Sequence, residues 1–561
     1  MEAKEKNYIQ NKGITLVALV ITIVILLILA GISISILTNT GIFQKAKDAK
    51  QKSENAQKEE ESFLSEYEKE ILKQDSNGIW DGNVNKPELM TGMKAIQFNE
   101  PTDTTEGSVK KVDNSNATDW YDYKTKKWAN AQTEDGSMWV WIPRYAYKVV
   151  YNDPSDKSKG GKFDIVFLIG TTDNYIDDNG NIQTAQRQTE KNQVIETDST
   201  KTDKYTVHPA FTNESSIDYA NGGWNKELTG IWVAKFEAGY FNKEKEKDKI
   251  KSSSINYSQA YVWNPYNKKD PAKNYLDGIY ANEKNGSFTW IEEKTTSMKY
   301  PTFQGEKYSM NYINHNDAFC ISKALTEKGN VYTLDNKSTD SHLIKNSEWG
   351  SIAYLSQSKY GLNGTNIRIN NVNENDDEHF VYAMTGYAAK TDDLSANAPK
   401  DSYKWTELEG MAASTTGTIY GIYDLSGGTW ERVATVVNNG NSSLNDFGKA
   451  ILAALNNGKS SEYVTVYPTG EEKGNSLDAA SKKNYYSNIQ IYGDAIRETS
   501  TEAIGQTSWF WDHSYYSGGI GPLTLRGGGY SSTQSAGIFG FSRTDGDSNY
   551  NRGFRAVLVK K

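Results

Sequence analysis

Five histidines, one cysteine and scattered carboxylates are the side chains that could carry acid–base, nucleophilic or metal chemistry in this chain. Their spacing argues against most of it. His208, His315, His342, His379 and His513 lie far apart, and no His-Glu-x-x-His pair exists to hold zinc. Cys320 stands alone, which excludes an intramolecular disulfide framework, a Cys-rich zinc site and an iron–sulfur cluster. There is no Gly-x-Ser-x-Gly nucleophile elbow and no phosphate-binding Gly-x-x-x-x-Gly-Lys-Ser/Thr loop. Asp376, Asp377 and Glu378 cluster in an Asn-rich stretch, where neighbouring carboxylates read as a solvated face. The chemistry that remains is recognition. Residues 507–555 contain no Lys, Glu or Met, in a chain otherwise full of Lys and Glu, and are rich in Gly, Ser and Tyr. Tyr offers a large amphipathic contact area at low entropic cost, while Ser, Gly and Asn offer adaptable hydrogen bonds. That is the composition of a binding surface, and also of a Gly/Ser-rich loop with no partner.

The elements that must position this segment belong to a long chain. Its 561 residues allow one very large domain or several ordinary ones. Hydrophobic residues are 37%, yet aromatics reach 12%, which disordered chains do not. The 62 basic and 71 acidic residues give a net charge of −9, so the basic excess that binds a nucleic-acid duplex is missing. From about Trp80 onward, short apolar-aromatic runs alternate with Asn/Gly/Ser/Asp loops. Met138–Val150, Phe163–Ile169, Ile231–Phe236 and Leu523–Leu525 read as strands, and Asn316–Leu325 and Asn346–Gln357 as helices. No repeat of 20–50 residues is visible, which excludes a solenoid or propeller.

The N-terminus sets an expected address. Ile14–Leu37 is an uncharged apolar run, long enough as a helix to cross the ~30 Å hydrocarbon core. Residues 43–72 are rich in Lys, Glu, Gln and Ala without Gly or Pro, so a helical stalk is expected to about residue 75. The segment Lys12-Gly13-Ile14-Thr15-Leu16-Val17 resembles the type IV prepilin N-terminus. That resemblance implies a leader over 1–13, cut by a prepilin peptidase between Gly13 and Ile14. The family usually carries Glu at the fifth mature position, where this chain has Ala18, so entry into a pilus does not follow. A plain uncleaved anchor is the alternative. Either way the expectation is a single-pass protein held by residues 14–37, with residues 80–561 outside the cell.

A second resemblance runs in order along residues 230–557. Gly230-Ile231-Trp232-Val233-Ala234-Lys235-Phe236-Glu237, Asp317-Ala318-Phe319-Cys320 and Ser347-Glu348-Trp349 come first. Gly421-Ile422-Tyr423-Asp424-Leu425-Ser426-Gly427-Gly428-Thr429-Trp430-Glu431 is the closest match, followed by Leu525-Arg526-Gly527-Gly528-Gly529-Tyr530 and Gly553-Phe554-Arg555. Together they resemble the formylglycine-generating-enzyme (sulfatase-modifying-factor) family. The resemblance implies an α+β, C-type-lectin-like domain with large insertions: a small twisted antiparallel sheet, two helices and much loop. With the N-terminal run, the expected fold class is that domain preceded by a long membrane-spanning helix. The family's enzymes hold copper on two cysteines whose positions fall on Ser532 and Gly537 here. A soft copper site needs sulfur, so no copper and no oxidase activity are expected. The family's calcium loop maps to the side chains of Asp424 and Glu431 and the carbonyls of Gly427 and Thr429, oxygen ligands of the kind Ca²⁺ takes. A turn cap at Asp424 and an ion pair at Glu431 are the alternative.

The whole arrangement also resembles the variable proteins of diversity-generating retroelements, in which a reverse transcriptase randomises adenines in Asn-type codons. Such codons cannot become Lys, Glu, Gln, Met or Trp. The resemblance implies variable ligand contacts at His513, Tyr515, Tyr516, Tyr530, Ser531, Ser532, Ser535, Gly540, Ser542, Arg543, Asp545, Asp547, Ser548, Asn549, Tyr550 and Asn551. It implies fixed framework at Trp509, Trp511, Arg526, Gly527, Gly528, Gln534, Phe539, Phe541, Gly553, Phe554 and Arg555. The expected function is non-catalytic display of a hypervariable surface to an unknown macromolecule, either a protein or a surface glycan. A minor pilin-like adhesin or structural subunit with a fixed site is the alternative.

Overall fold

The computed structural model describes residues 23–26, 50, 52, 84–112, 120–190, 193–213, 223–240, 279–282, 287–290, 301–311, 313–327, 330–375, 381–390, 399–455, 460–467, 477–488 and 490–561. The chain divides into two compact units, Met1–Asn77 and Gly78–Lys561, and the second carries the architecture below.

Two seven-stranded sheets dominate. The first runs Thr339–Leu343, Ala556–Lys560, Gly230–Ala234, Met138–Pro143, Asn130–Gln132, Lys94–Asn99 and Ser108–Lys111, each strand antiparallel to its neighbour. Its interior strands are apolar without alternation. Met-Trp-Val-Trp-Ile-Pro is buried at every position from Met138 to Pro143, as expected of a strand covered on both faces. The second runs Thr465–Tyr467, Trp430–Val437, Leu523–Arg526, Phe541–Thr544, Ser514–Tyr515 and Ile504–Gly505, with Arg552–Phe554 lying parallel to Trp430–Val437. A three-stranded sheet of Gly161–Phe167, Tyr145–Tyr151 and Thr206–Val207 completes the main layers.

Few helices accompany this sheet. His315–Ala324 begins where Asn314 Oδ1 accepts from Asp317 N at 2.8 Å, a side-chain N-cap. Asn346–Ser356 is buried along its whole length. Its first turn is closed by Glu348, whose Oε2 accepts from Lys345 N at 2.9 Å. Gly350 lets Gly493 approach, since a Cβ there would lie 2.1 Å from Gly493 O. Tyr354 stacks on Phe163 with ring centroids 3.8 Å apart, tying this helix to the three-stranded sheet. Six fully buried tryptophans, Trp128, Trp139, Trp141, Trp232, Trp349 and Trp509, run through one continuous core. The expected strand Met138–Val150 is two strands broken at Arg144, whose guanidinium is buried against Phe211 O and Asp173.

The expected fold class is corrected. Among the described residues the chain is mostly sheet with few helices, a mixed α+β architecture of largely antiparallel sheets, rather than a small sheet with two helices behind a membrane span. Among the described residues no helix is long and apolar enough to cross a membrane. Within the run 14–37 only residues 23–26 are described, as one helical piece. Gly13, Ile14, most of the expected stalk, His379 and the Asp376–Glu378 cluster lie outside the described residues.

Candidate functional site

The C-terminal segment is stitched together by three short strands. Leu523–Arg526 pairs antiparallel with Phe541–Thr544, from Leu523 opposite Thr544 to Arg526 opposite Phe541. Ser514–Tyr515 joins the other edge through Ser514 and Phe541, where Phe541 N donates to His513 O at 2.9 Å. Between the paired strands the chain turns at Gly527 and Gly528, with φ of +86° and +78°. A Cβ at Gly528 would lie 2.6 Å from Ala536 Cα, so the turn admits only glycine there. Thr533–Ser535 forms a short turn on the surface, and Ser535 O accepts from His513 N at 3.0 Å.

This scaffold sorts the sixteen expected contact residues. His513, Tyr515, Ser531, Ser532, Ser535, Ser542, Arg543, Asp545, Asp547, Asn549, Tyr550 and Asn551 are half-buried or exposed, and Tyr516, Tyr530, Gly540 and Ser548 are buried. Tyr516 is walled in by Tyr467, Tyr485 and Phe541. Tyr530 is pulled inward where its N–H donates to Gly428 O at 2.7 Å.

The half-exposed residues include an aromatic and cationic ribbon. The His513 ring meets the edge of Trp430 at 5.5 Å and stacks on Tyr515 at 6.5 Å. The Arg543 guanidinium lies 4.3 Å over the Tyr515 ring, a favourable cation–π placement. The Tyr515 hydroxyl donates to Asp478 on the helix Leu477–Ser487. Burial lowers the pKa of His513 from the ordinary imidazole value, so the ring is neutral at pH 7. The next loop is braced rather than free. Arg552 donates to Thr544 Oγ1 at 2.8 Å and to Asp547, while Arg432 donates to Gly546 O and Asp547 O. Trp430 and Asp478 were legible only as single residues in the sequence, because strand pairing and a helix distant in sequence bring them to the ribbon.

The expected calcium loop is buried. Asp424 sits at φ +62°, and its Oδ1 accepts from Asn370 Nδ2 and Gly386 N, each at 2.8 Å. Among the described residues its Oδ2 has no hydrogen-bond partner. Gly427 holds φ +84°, and a Cβ there would lie 2.2 Å from Asn370 O. Thr429 N donates to Glu237 Oε2 at 2.9 Å, and the Thr429 hydroxyl donates to the same oxygen. Both oxygens of Glu431 are engaged by Arg555, Oε1 by Nη2 at 2.6 Å and Oε2 by Nε at 2.9 Å. Burial pushes the Glu237 carboxyl up to about 8, with Asp424 and Glu431 adding to the shift. A divalent cation between Asp424 and Glu431 would have to displace this guanidinium, so the residues as placed do not fit Ca²⁺. Among the described residues no group of three or more His, Cys, Asp or Glu could hold a metal ion.

The positions where the resemblance placed copper thiolates are closed in a different way. Ser532 Oγ accepts from Gly529 N at 3.0 Å. At Gly537 a Cβ would lie 2.0 Å from Asp512 Oδ1, so any side chain there meets the Asp512 carboxyl. Cys320 is buried on the helix His315–Ala324, and burial, then Asp317, raises its thiol pKa. No protein-family model matches the chain, and no curated protein matches it.

Proposed function

We propose that the region 84–561 is a non-catalytic binding protein whose residues 513–551 present a diversified surface to a macromolecular ligand. One observation carries the reading. Nine of the residues expected as fixed framework are buried: Trp509, Arg526, Gly527, Gly528, Phe539, Phe541, Gly553, Phe554 and Arg555. Most of those expected to vary reach solvent. A retroelement that randomises codons needs this separation, because substitutions at exposed positions off special features cost little stability. The missing Lys, Glu and Met of residues 507–555 fit the same scheme, as does the resemblance to retroelement variable proteins. The non-catalytic part is supported at Gly537, where the resembled family's enzymes carry a copper-binding cysteine and where a Cβ here would meet the Asp512 carboxyl. Display at the cell surface belongs to the same proposal and rests on the prepilin-like leader motif.

The test is the DNA around the gene. A near-copy of the codons for residues 507–555, mismatched only at adenines and beside a reverse transcriptase, is the expected finding. Its absence would overturn diversification and leave a fixed binding site. Grafting a naturally divergent 507–555 segment should then change ligand choice without changing the unfolding midpoint.

A further inference from the structure

Several arginines of this protein are spent internally. Arg144, Arg187, Arg552 and Arg555 each meet a carboxylate, and Arg432 and Arg526 donate to backbone carbonyls. Arg543 differs. It is half-buried on the strand Phe541–Thr544 and meets no carboxylate among the described residues. The Tyr515 ring and hydroxyl are what face its guanidinium.

The side chain is nevertheless held in place. Its stem runs along Gly521, where a Cβ would lie 3.1 Å from Arg543 Cβ, Cγ and Cδ. The turn beneath is closed by reciprocal backbone bonds of 2.9 Å between Gly518 and Gly521. Asn439 Nδ2 braces it by donating to Gly519 O at 2.8 Å. On the other side the guanidinium lies 4.3 Å over the Tyr515 ring. Tyr515 is fixed in turn by its bond to Asp478 and its stacking on His513. Arg543 Nε is buried with no hydrogen-bond partner among the described residues, while the residue still reaches solvent. Contact with a ligand therefore falls to the Nη pair. An arginine packed along its stem and its plane has lost side-chain freedom before a ligand arrives, which removes part of the entropic cost of binding.

We infer that Arg543 receives a carboxylate from an acidic segment of a protein ligand. The inference rests on the reading of residues 513–551 as a binding surface. An unpaired guanidinium held in one position recognises a planar oxyanion through paired N–H donors. The Asp478 carboxylate, bonded to the same tyrosine, repels a doubly charged phosphate more than a singly charged carboxylate. The neighbouring groups favour an acidic side chain over a sugar acid. Thr524 lies opposite Arg543 in the strand pair, and its hydroxyl is engaged by Ser517. The Tyr515 hydroxyl is engaged by Asp478. Ile520, next to Gly521, is 57% exposed. Sugar hydroxyls need convergent polar groups, whereas an aromatic ring and an aliphatic chain stand here and suit the methylenes of Asp or Glu. Arg543 is one of the positions expected to vary, so the preference for a carboxylate belongs to this sequence and changes with that residue.

The test uses linear peptides selected by phage display against the full chain, with affinity read by fluorescence polarisation. Selected peptides should carry an Asp or Glu whose replacement by Asn or Gln weakens binding about tenfold or more, and Arg543→Gln should weaken it as much. Combining the two changes should cost no more than either alone, the coupling of a direct pair. Additive losses, or peptides that need no carboxylate, would overturn the inference. A fall of several degrees in Tm for Arg543→Gln would show a structural cap on Tyr515 and overturn it as well. Hyaluronan or a phosphotyrosine peptide that binds more tightly than the selected peptides, and is lost in Arg543→Gln, would replace the acidic side chain by a sugar acid or a phosphate. Peptides weakened by His513→Ala or Tyr550→Ala but not by Arg543→Gln would overturn the inference and leave the binding surface standing. Peptides indifferent to all three variants would overturn both.

Discussion

Arg555 closes on Glu431 through two parallel hydrogen bonds, Nε to Oε2 at 2.9 Å and Nη2 to Oε1 at 2.6 Å, with both side chains fully buried. The same guanidinium donates to Ala234 O at 2.7 Å and Tyr423 O at 2.8 Å. Arg555 stands between Arg552–Phe554 of the second sheet and Ala556–Lys560 of the first. One side chain therefore ties both sheets and the Asp424–Glu431 loop together. Bidentate charge-assisted bonding of this geometry needs arginine, not lysine.

Arg555→Met should leave Glu431 buried without a counterion and cost about 3–5 kcal/mol of stability. Urea denaturation measures it. Replacing both partners, Arg555→Met with Glu431→Leu, should recover most of the loss, because an apolar pair leaves no stranded charge. A double variant as unstable as Arg555→Met would show that the carbonyl contacts to Ala234 and Tyr423 dominate.

Chelation of calcium should leave Tm unchanged, since Arg555 supplies the positive charge at Glu431. A drop of several degrees on adding chelator, reversed by calcium, would place a cation at the Asp424 loop instead.

Stability should fall as pH rises from mildly acidic to alkaline. Burial pushes Glu237 from 4.5 up to about 8 and Asp512 from 3.8 up to about 8. Between those values the native state holds protons that the unfolded chain has already lost. Each group then costs about 1.4 kcal/mol per pH unit until its folded pKa is passed, after which the slope ends. Thermal melts across this range should show Glu237→Gln and Asp512→Asn each flattening the decline.

The surface and its supports should separate in mutagenesis. Alanine at Ser531, Ser542 or Asn549 should move stability by about 0.5 kcal/mol or less. Alanine at buried Tyr516 or Tyr530 should cost about 3 kcal/mol or more, as truncation of a core aromatic does. Equal costs for the two sets would contradict the burial pattern.

Cys320 should be inert in the native protein. Its thiol is buried and its pKa raised by burial and Asp317, so little thiolate forms at neutral pH. Iodoacetamide should label it only after denaturation; rapid native labelling would show that the helix His315–Ala324 opens.

Residue type and order alone carried part of this protein. Apolar-aromatic runs such as Met138–Val150 and Ile231–Phe236 read as strands, and Met138–Pro143, Tyr145–Tyr151 and Gly230–Ala234 are strands in the structure. The absence of Lys, Glu and Met marked residues 507–555 as a separate kind of surface. These features are local, so they survive without knowledge of neighbours. The tertiary structure decided what depends on partners far away in sequence. Glu431 looked like a calcium ligand until Arg555, over a hundred residues later, was seen to engage both its oxygens. Tyr516 and Tyr530 looked like contacts until Phe541 and the Gly428 carbonyl placed them inside. Trp511 was expected to be fixed because the randomised codons of the resemblance cannot become tryptophan, which left its exposure open. It reaches solvent because Trp509 and Asp512 are drawn inward on either side, and that geometric conflict exists only once both flanks find their distant partners.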